Sequence, residues 1–204
     1  MTIRPAALIA LTMLTAACSA TISERSLLQP LPGGPMPPEL LAQAAPGYTM
    51  TEHWIPTADG ARLNAVLLRQ PGSRATILYF GGNGFTIGRF GAMTARWFSA
   101  LGVDLMIVDH RGYGRSEGTP TMVSLATDGL AAFDYLTGTI GVPAGRVIVH
   151  GQSLGSFIAG FVAAQRPAGG VVLESSATTA EDWVDARHRG IARALVRVRI
   201  DESL

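Results

Sequence analysis

The sequence predicts an α/β fold, a mostly parallel β-sheet with helices on both faces. Three observations predict it. Short apolar runs of four to six residues recur at 75–80, 103–108, 147–150 and 170–173, reading as strands buried on both faces. Stretches of helical length and pattern stand between them, at 90–101, 122–136 and 154–165. Strand and helix alternate one for one, and parallel strands joined that way need right-handed crossovers, which put the helices on the sheet faces.

From the N-terminus, Arg4 precedes an apolar run from Ala6 to Leu14 that ends in Thr15-Ala16-Ala17-Cys18. The run is too short to span a bilayer comfortably and matches the apolar region of an export leader. Small residues just before a cysteine resemble a bacterial lipobox, although Thr15 stands where leucine is usual and Leu14 is one place further back. The expectation is export, to the periplasm or to a membrane anchored through a lipidated Cys18; simple cleavage after Ala20 is the alternative. Cys18 is the only cysteine, so no internal disulfide framework exists. Residues 1–18 therefore read as the leader. Residues 19–47, with Pro30, Pro32, Pro35, Pro37, Pro38 and Pro46, read as a tether or a surface-hugging arm.

The folded domain is assigned to 48–204. It opens with strand-like runs at 49–55 and 62–69 around Asp59-Gly60, a hairpin turn signal. The alternating α/β region follows. Residues 179–198 have a helical pattern, with Thr178 or Thr179 as a cap before Glu181 and Asp182. The 204 residues carry a formal net charge of +1, which supplies no basic field for nucleic acid.

The chemistry concentrates at strand ends. Gly151-Gln152-Ser153-Leu154-Gly155 lies between an apolar strand and an apolar helix, the context a G-x-S-x-G nucleophile elbow needs. The serine of such an elbow sits in a strained turn at the positive end of a helix, and the flanking glycines let strand and helix approach. Tyr79-Phe80-Gly81-Gly82-Asn83-Gly84 follows the first parallel strand. As a phosphate loop it lacks the following Lys-Ser/Thr. As an oxyanion loop it nominates the main-chain amides of Asn83 and Leu154, and the remaining reading is a tight turn with no chemistry.

Asp109-His110-Arg111-Gly112-Tyr113-Gly114-Arg115-Ser116 puts Asp, His and Ser close together in sequence. Triad members usually come from different loops, so this stretch reads as a rigid loop beside the elbow, with Asp109 and Arg111 bracing it. His150 reads as a packed residue and Glu174 as a strand-end acid that holds the following turn. His188 lies on a charged helical face. No cluster has metal-ligand spacing, and no cofactor is expected.

Taken together, Asp59-Gly60, the Gly81–Gly84 turn, the Asp109–Ser116 loop, the elbow and Leu173-Glu174-Ser175-Ser176 resemble the α/β-hydrolase fold family, in order and spacing from about Tyr48 to about Val198. The similarity is to its branch of membrane-associated or exported esterases and protein depalmitoylases. The resemblance implies Ser153 as nucleophile, Asn83 and Leu154 as oxyanion donors, and a small acyl-ester or thioester substrate. Gly81 departs from the histidine that many relatives carry there. The resemblance also implies a triad acid after the next strand and a catalytic histidine after the one beyond, and this sequence has no matching position for either.

Read that way, the fold is an α/β-hydrolase lacking its last strands and helices, with 179–198 as a cap helix. Three expectations follow. The strand at 170–173 becomes an exposed edge open to a protein partner, and Ile158, Phe161 and Val162 lose cover. Ser153 without a base turns over little. A non-catalytic, lipid-anchored binding module and an enzyme recruiting His188 with Glu174 or Asp182 are the alternatives.

Overall fold

The computed structural model describes residues 20–23, 27–176 and 196–199. In chain order the strands are β1 (Ala20–Ser23), β2 (Thr49–Pro56), β3 (Arg62–Arg69), β4 (Thr76–Phe80), β5 (Asp104–Val108), β6 (Val147–Gln152), β7 (Gly170–Glu174) and β8 (Val196–Arg199). The helices are α1 (Pro38–Ala44), α2 (Ile87–Ser99), α3 (Met122–Asp134) and α4 (Leu154–Gln165).

Six strands form the main sheet in the order β2-β3-β5-β4-β6-β7. β2–β3 and β3–β5 pair antiparallel; β5–β4, β4–β6 and β6–β7 pair parallel. β1 and β8 pair parallel in a separate two-stranded sheet.

The central strands are largely apolar because both of their faces are covered. Leu78 and Phe80 of β4 pack with Leu125 and Phe133 of α3 and Ile158 and Val162 of α4. Ile77 and Tyr79 face the other way, into a cluster with Ile87, Ala95 and Phe98 of α2 and Leu41 of α1. α3 starts with a capping box, in which Thr121 Oγ1 accepts from the Ser124 amide at 3.0 Å and Ser124 Oγ accepts from the Thr121 amide at 2.8 Å. The chain leaves α3 through a wider turn at Tyr135–Thr139.

Three expectations need correction. Of the two readings of residues 27–47, the packed arm holds and the tether does not, so the domain does not begin at Tyr48. Leu28, Met36, Leu41 and Ala45 are buried. Pro38 opens α1 at a position where its missing N–H costs nothing. Residues 196–198, expected to be helical, belong to a strand, in keeping with the two-residue alternation of Val196-Arg197-Val198-Arg199. The rest of the proposed cap helix lies outside the described residues, as do the leader and Cys18. Finally, Ile158 and Val162 keep their cover, because they pack into the cluster with α3. On β7, Val171, Val172 and Leu173 are 44%, 43% and 47% exposed, and β7 is an edge of the main sheet.

The loop after β5 is pinned by a buried cation. The Arg111 guanidinium reaches Asp128 of α3 at 2.7 Å and Asp59 of the β2–β3 turn at 2.7 Å. Burial pushes the Asp128 carboxyl up, with Arg111 pulling it back down. Arg111→Met should therefore cost about 3–5 kcal/mol at neutral pH, because Asp128 is left buried and unpaired. Without Arg111 the folded state holds its Asp128 proton to higher pH than the unfolded chain. The penalty is then full above the folded pKa and fades as pH falls toward the ordinary carboxylate range, about 4. Urea midpoints for variant and parent at pH 7.5 and pH 5 check this; an equal deficit at both would contradict it.

Candidate active site

β6 ends at Gln152 and α4 begins at Leu154, so a single residue turns the chain between them. That residue is Ser153, with φ 52° and ψ −114°. A non-glycine residue held there costs about 1–3 kcal/mol and persists only where its surroundings enforce it. Here the Ser153 amide donates to the Glu174 carbonyl at the end of β7 (2.8 Å), and the Ser153 carbonyl accepts from the Ser156 amide (2.9 Å). The Ser156 hydroxyl lies 3.0 Å from the Gly151 carbonyl and 2.8 Å from that of Glu174.

The elbow glycines explain themselves. A Cβ on Gly151 would run into the main chain of Gly155, and one on Gly155 into the carbonyl of Phe80. The strand, the helix and the end of β4 touch backbone to backbone.

That contact brings the Gly81–Gly84 turn to the serine. A Cβ placed on Gly82 would sit 3.6 Å from Ser153 Cβ. The turn is closed by the Phe85 amide on the Gly82 carbonyl at 3.0 Å, and Gly84 has φ +83°. The Leu154 amide belongs to the first turn of α4, where N–H groups have no intrahelical acceptor and the helix end is partially positive. Asn83, the other nominated donor, has its side chain bonded to Leu27, Gln29 and Tyr113.

The Asp109–Ser116 loop braces this turn. His110 Nε2 lies 2.8 Å from the Gly81 carbonyl, and its ring stacks on Phe80. Full burial holds the His110 imidazole below its usual pKa, so it is a neutral structural group. Asp109 accepts from the Ile87 amide at 2.7 Å and the Arg115 amide at 3.0 Å. Burial pushes its carboxyl up to about 6, against the pull of those two amides.

None of the three described histidines hydrogen-bonds to Ser153. His53 Nδ1 meets the Tyr135 hydroxyl at 3.3 Å, His110 holds the glycine turn, and His150 Nε2 lies 3.2 Å from Glu174 Oε2. His150 packs edge-on against Tyr79 and Phe98. Glu174 also accepts from Gln152 Nε2 at 2.9 Å, so its carboxylate braces the elbow rather than a base on Ser153. His188 and Asp182 lie outside the described residues.

Both the sequence and the fold are matched by known proteins. A protein-family model described as serine aminopeptidase, S33, matches residues 71–202. The chain belongs to this α/β-hydrolase family. Within the family it is 32% identical over 133 residues to protein bem46 of Schizosaccharomyces pombe, covering 63% of this chain and 44% of that protein. It is 30% identical over 124 residues to alpha/beta hydrolase domain-containing protein 17B of Homo sapiens, covering 60% and 43%. The match thus spans less than half the length of these α/β-hydrolase relatives. The Pyrococcus furiosus esterase Pf2001 shares the fold at TM-score 0.62 with 15% identity, over 81% of this chain and 67% of that one.

Sequence reasoning read one part of this candidate site only as a tether or a surface-hugging arm. The arm of residues 27–33 reaches the glycine turn and touches Asn83 itself. Its proline content masked it, because the arm bonds through main-chain groups that leave no residue-type signature.

Proposed function

We propose that this chain is a serine hydrolase acting on carboxylic esters or thioesters through an acyl-enzyme at Ser153. The observation that carries the reading is the strained Ser153 turn at the β6–α4 junction, beside Gly82. Strain of that kind is retained where a side chain must be presented rather than packed. Ser153 Oγ attacks the acyl carbonyl while a base takes its proton, and the carbonyl oxygen becomes an oxyanion facing the Asn83 and Leu154 amides. The tetrahedral species collapses, and the alcohol or thiol leaves with a proton. Water then attacks the acyl-serine by the same route and releases the acid.

The base comes from outside the described residues, and within this sequence His188 is the remaining histidine. Amide cleavage would use the same nucleophile, so substrate class is decided by comparison. The protein should release 4-nitrophenol from 4-nitrophenyl butyrate, and thiol from a butyryl thioester, at least about 100-fold faster than 4-nitroaniline from an aminoacyl anilide. Preference for the anilide would overturn the ester assignment.

The absence of a histidine contact to Ser153 among the described residues favours a second reading, a non-catalytic binding module on the hydrolase scaffold. A folded chain inert to all three substrates would establish that reading instead. Export with lipidation at Cys18 belongs to the same proposal. Tritiated palmitate fed to the bacterial host should label the protein, and Cys18→Ala should lose all label.

A further inference from the structure

The Gly81–Gly84 turn has three glycines in four residues, so its own conformational preference is weak. An oxyanion donor has to lie within about 2.7–3.1 Å of the developing charge, and a site loose by ~1 Å loses on the order of 100-fold in rate. The stiffness must come from outside the turn. Part of it comes from the Asp109–Ser116 loop through His110. The rest comes from the N-terminal arm, and it converges on one side chain.

Asn83 Oδ1 accepts from the Gln29 amide at 2.8 Å and from the Tyr113 hydroxyl at 2.7 Å, and Asn83 Nδ2 donates to the Leu27 carbonyl at 2.6 Å. The side-chain amide thus pairs with the arm as a neighbouring strand would. Tyr113 is fully buried, and burial pushes its phenol up to about 12, so it stays protonated and able to donate. Further along, the Gly114 amide donates to the Leu31 carbonyl at 2.8 Å, and the Gly33 amide donates to the Gly114 carbonyl at 2.9 Å. A Cβ on Gly88, in the first turn of α2, would strike the Gly34 carbonyl. The arm is seated on the turn, on the loop after β5 and on α2.

We propose that residues 27–33 are a clamp that positions the oxyanion turn, gripping it through the Asn83 side chain, so that releasing the arm slows acylation of Ser153. The proposal rests on the reading of Ser153 as nucleophile. Asn83 then has two separable roles: its main-chain amide faces the oxyanion, and its side chain is a positioning group. Tyr113 is a positioning residue through Asn83.

The test uses the full chain with Asn83→Ala, Asn83→Asp and Gln29→Pro. Asn83→Ala keeps the main-chain donor and removes the grip. Asn83→Asp keeps the acceptor for Gln29 and Tyr113 and should rescue in part. Gln29→Pro removes one arm amide at an exposed position, so the test survives if Asn83→Ala fails to fold. Hydrogen exchange at the arm amides reads docking, and saturation kinetics with a fluorophosphonate read chemistry. The expected result is faster exchange at 33 in every variant, and at 29 in the Asn83 variants, which keep that amide, with a maximal labelling rate about 10–100-fold lower at unchanged half-saturation. Faster exchange with an unchanged labelling rate would overturn the clamp, as would unchanged exchange in Asn83→Ala. An unaltered chain that takes no label would mark failure of the nucleophile assignment, and the clamp would go with it.

Discussion

Ser153→Gly should abolish acyl transfer and stabilise the domain in the same step. The loss of rate is expected to be on the order of a millionfold, because the oxygen that forms the acyl-enzyme is gone and other parts of a triad add little without it. The gain in stability comes from the backbone. At φ 52° and ψ −114° a serine carries strain of about 1–3 kcal/mol that glycine does not. Glycine loses about 0.5–1 kcal/mol of this to the greater entropy of its unfolded chain, leaving a net gain of about 1 kcal/mol. Ser153→Ala should lose the same activity and gain nothing, because alanine keeps the Cβ. Ester turnover and urea midpoints of the three proteins check both halves. A glycine variant that is less stable than the alanine variant would mean the turn is not strained.

Gly155→Ala should cost about 3 kcal/mol or more, although a glycine-to-alanine change inside a helix ordinarily stabilises. The new methyl would collide with the Phe80 carbonyl, at the end of the strand that leads into the Gly81–Gly84 turn. Main-chain atoms of the sheet centre cannot give way as a side-chain tip can. α4 would have to lift from the sheet, carrying the Leu154 amide with it, so ester turnover should fall as stability does. Gly160 is the internal control. It lies five residues on in the same helix with nothing within 4 Å of an added Cβ. Gly160→Ala should therefore stabilise by about 0.5–1 kcal/mol and leave turnover unchanged. Similar denaturation midpoints for the two variants would contradict the account of the elbow glycines.

The parts of the fold legible in the sequence were those with a residue-type or periodic signal. β4, β5 and β6 appeared as short, mostly apolar runs because both faces of the sheet are covered. Helix α4 was read with its bounds, Leu154–Gln165, because Ser153 and Gly155 mark its start and Arg166-Pro167 its end. α1 was missed. It has seven residues, too few to display a helical period, and it lies among prolines that suggested extended chain. The alternation in Val196-Arg197-Val198-Arg199 was overridden by the helical pattern before it.

At the site, the elbow and the glycine turn stood out because close backbone approach demands glycine. The roles of His110 and of Glu174 were legible only in outline. A histidine on a carbonyl and a histidine poised as a base look alike in sequence, and only the 2.8 Å contact to Gly81 separates them. The arm was legible only as a tether or a surface-hugging segment and its grip on Asn83 not at all, since Leu27, Gln29, Leu31 and Gly33 act through main-chain groups common to every residue type.

The most direct test is to treat the folded protein with a fluorophosphonate and map the adduct by peptide mass spectrometry. The account predicts one adduct per chain, on Ser153, and its loss on heat unfolding before treatment. Disappearance of the adduct in His188→Ala would identify the base. An adduct on Ser156, Ser175 or Ser176 with Ser153 unmodified, or a folded chain that takes up no phosphonate, would contradict it.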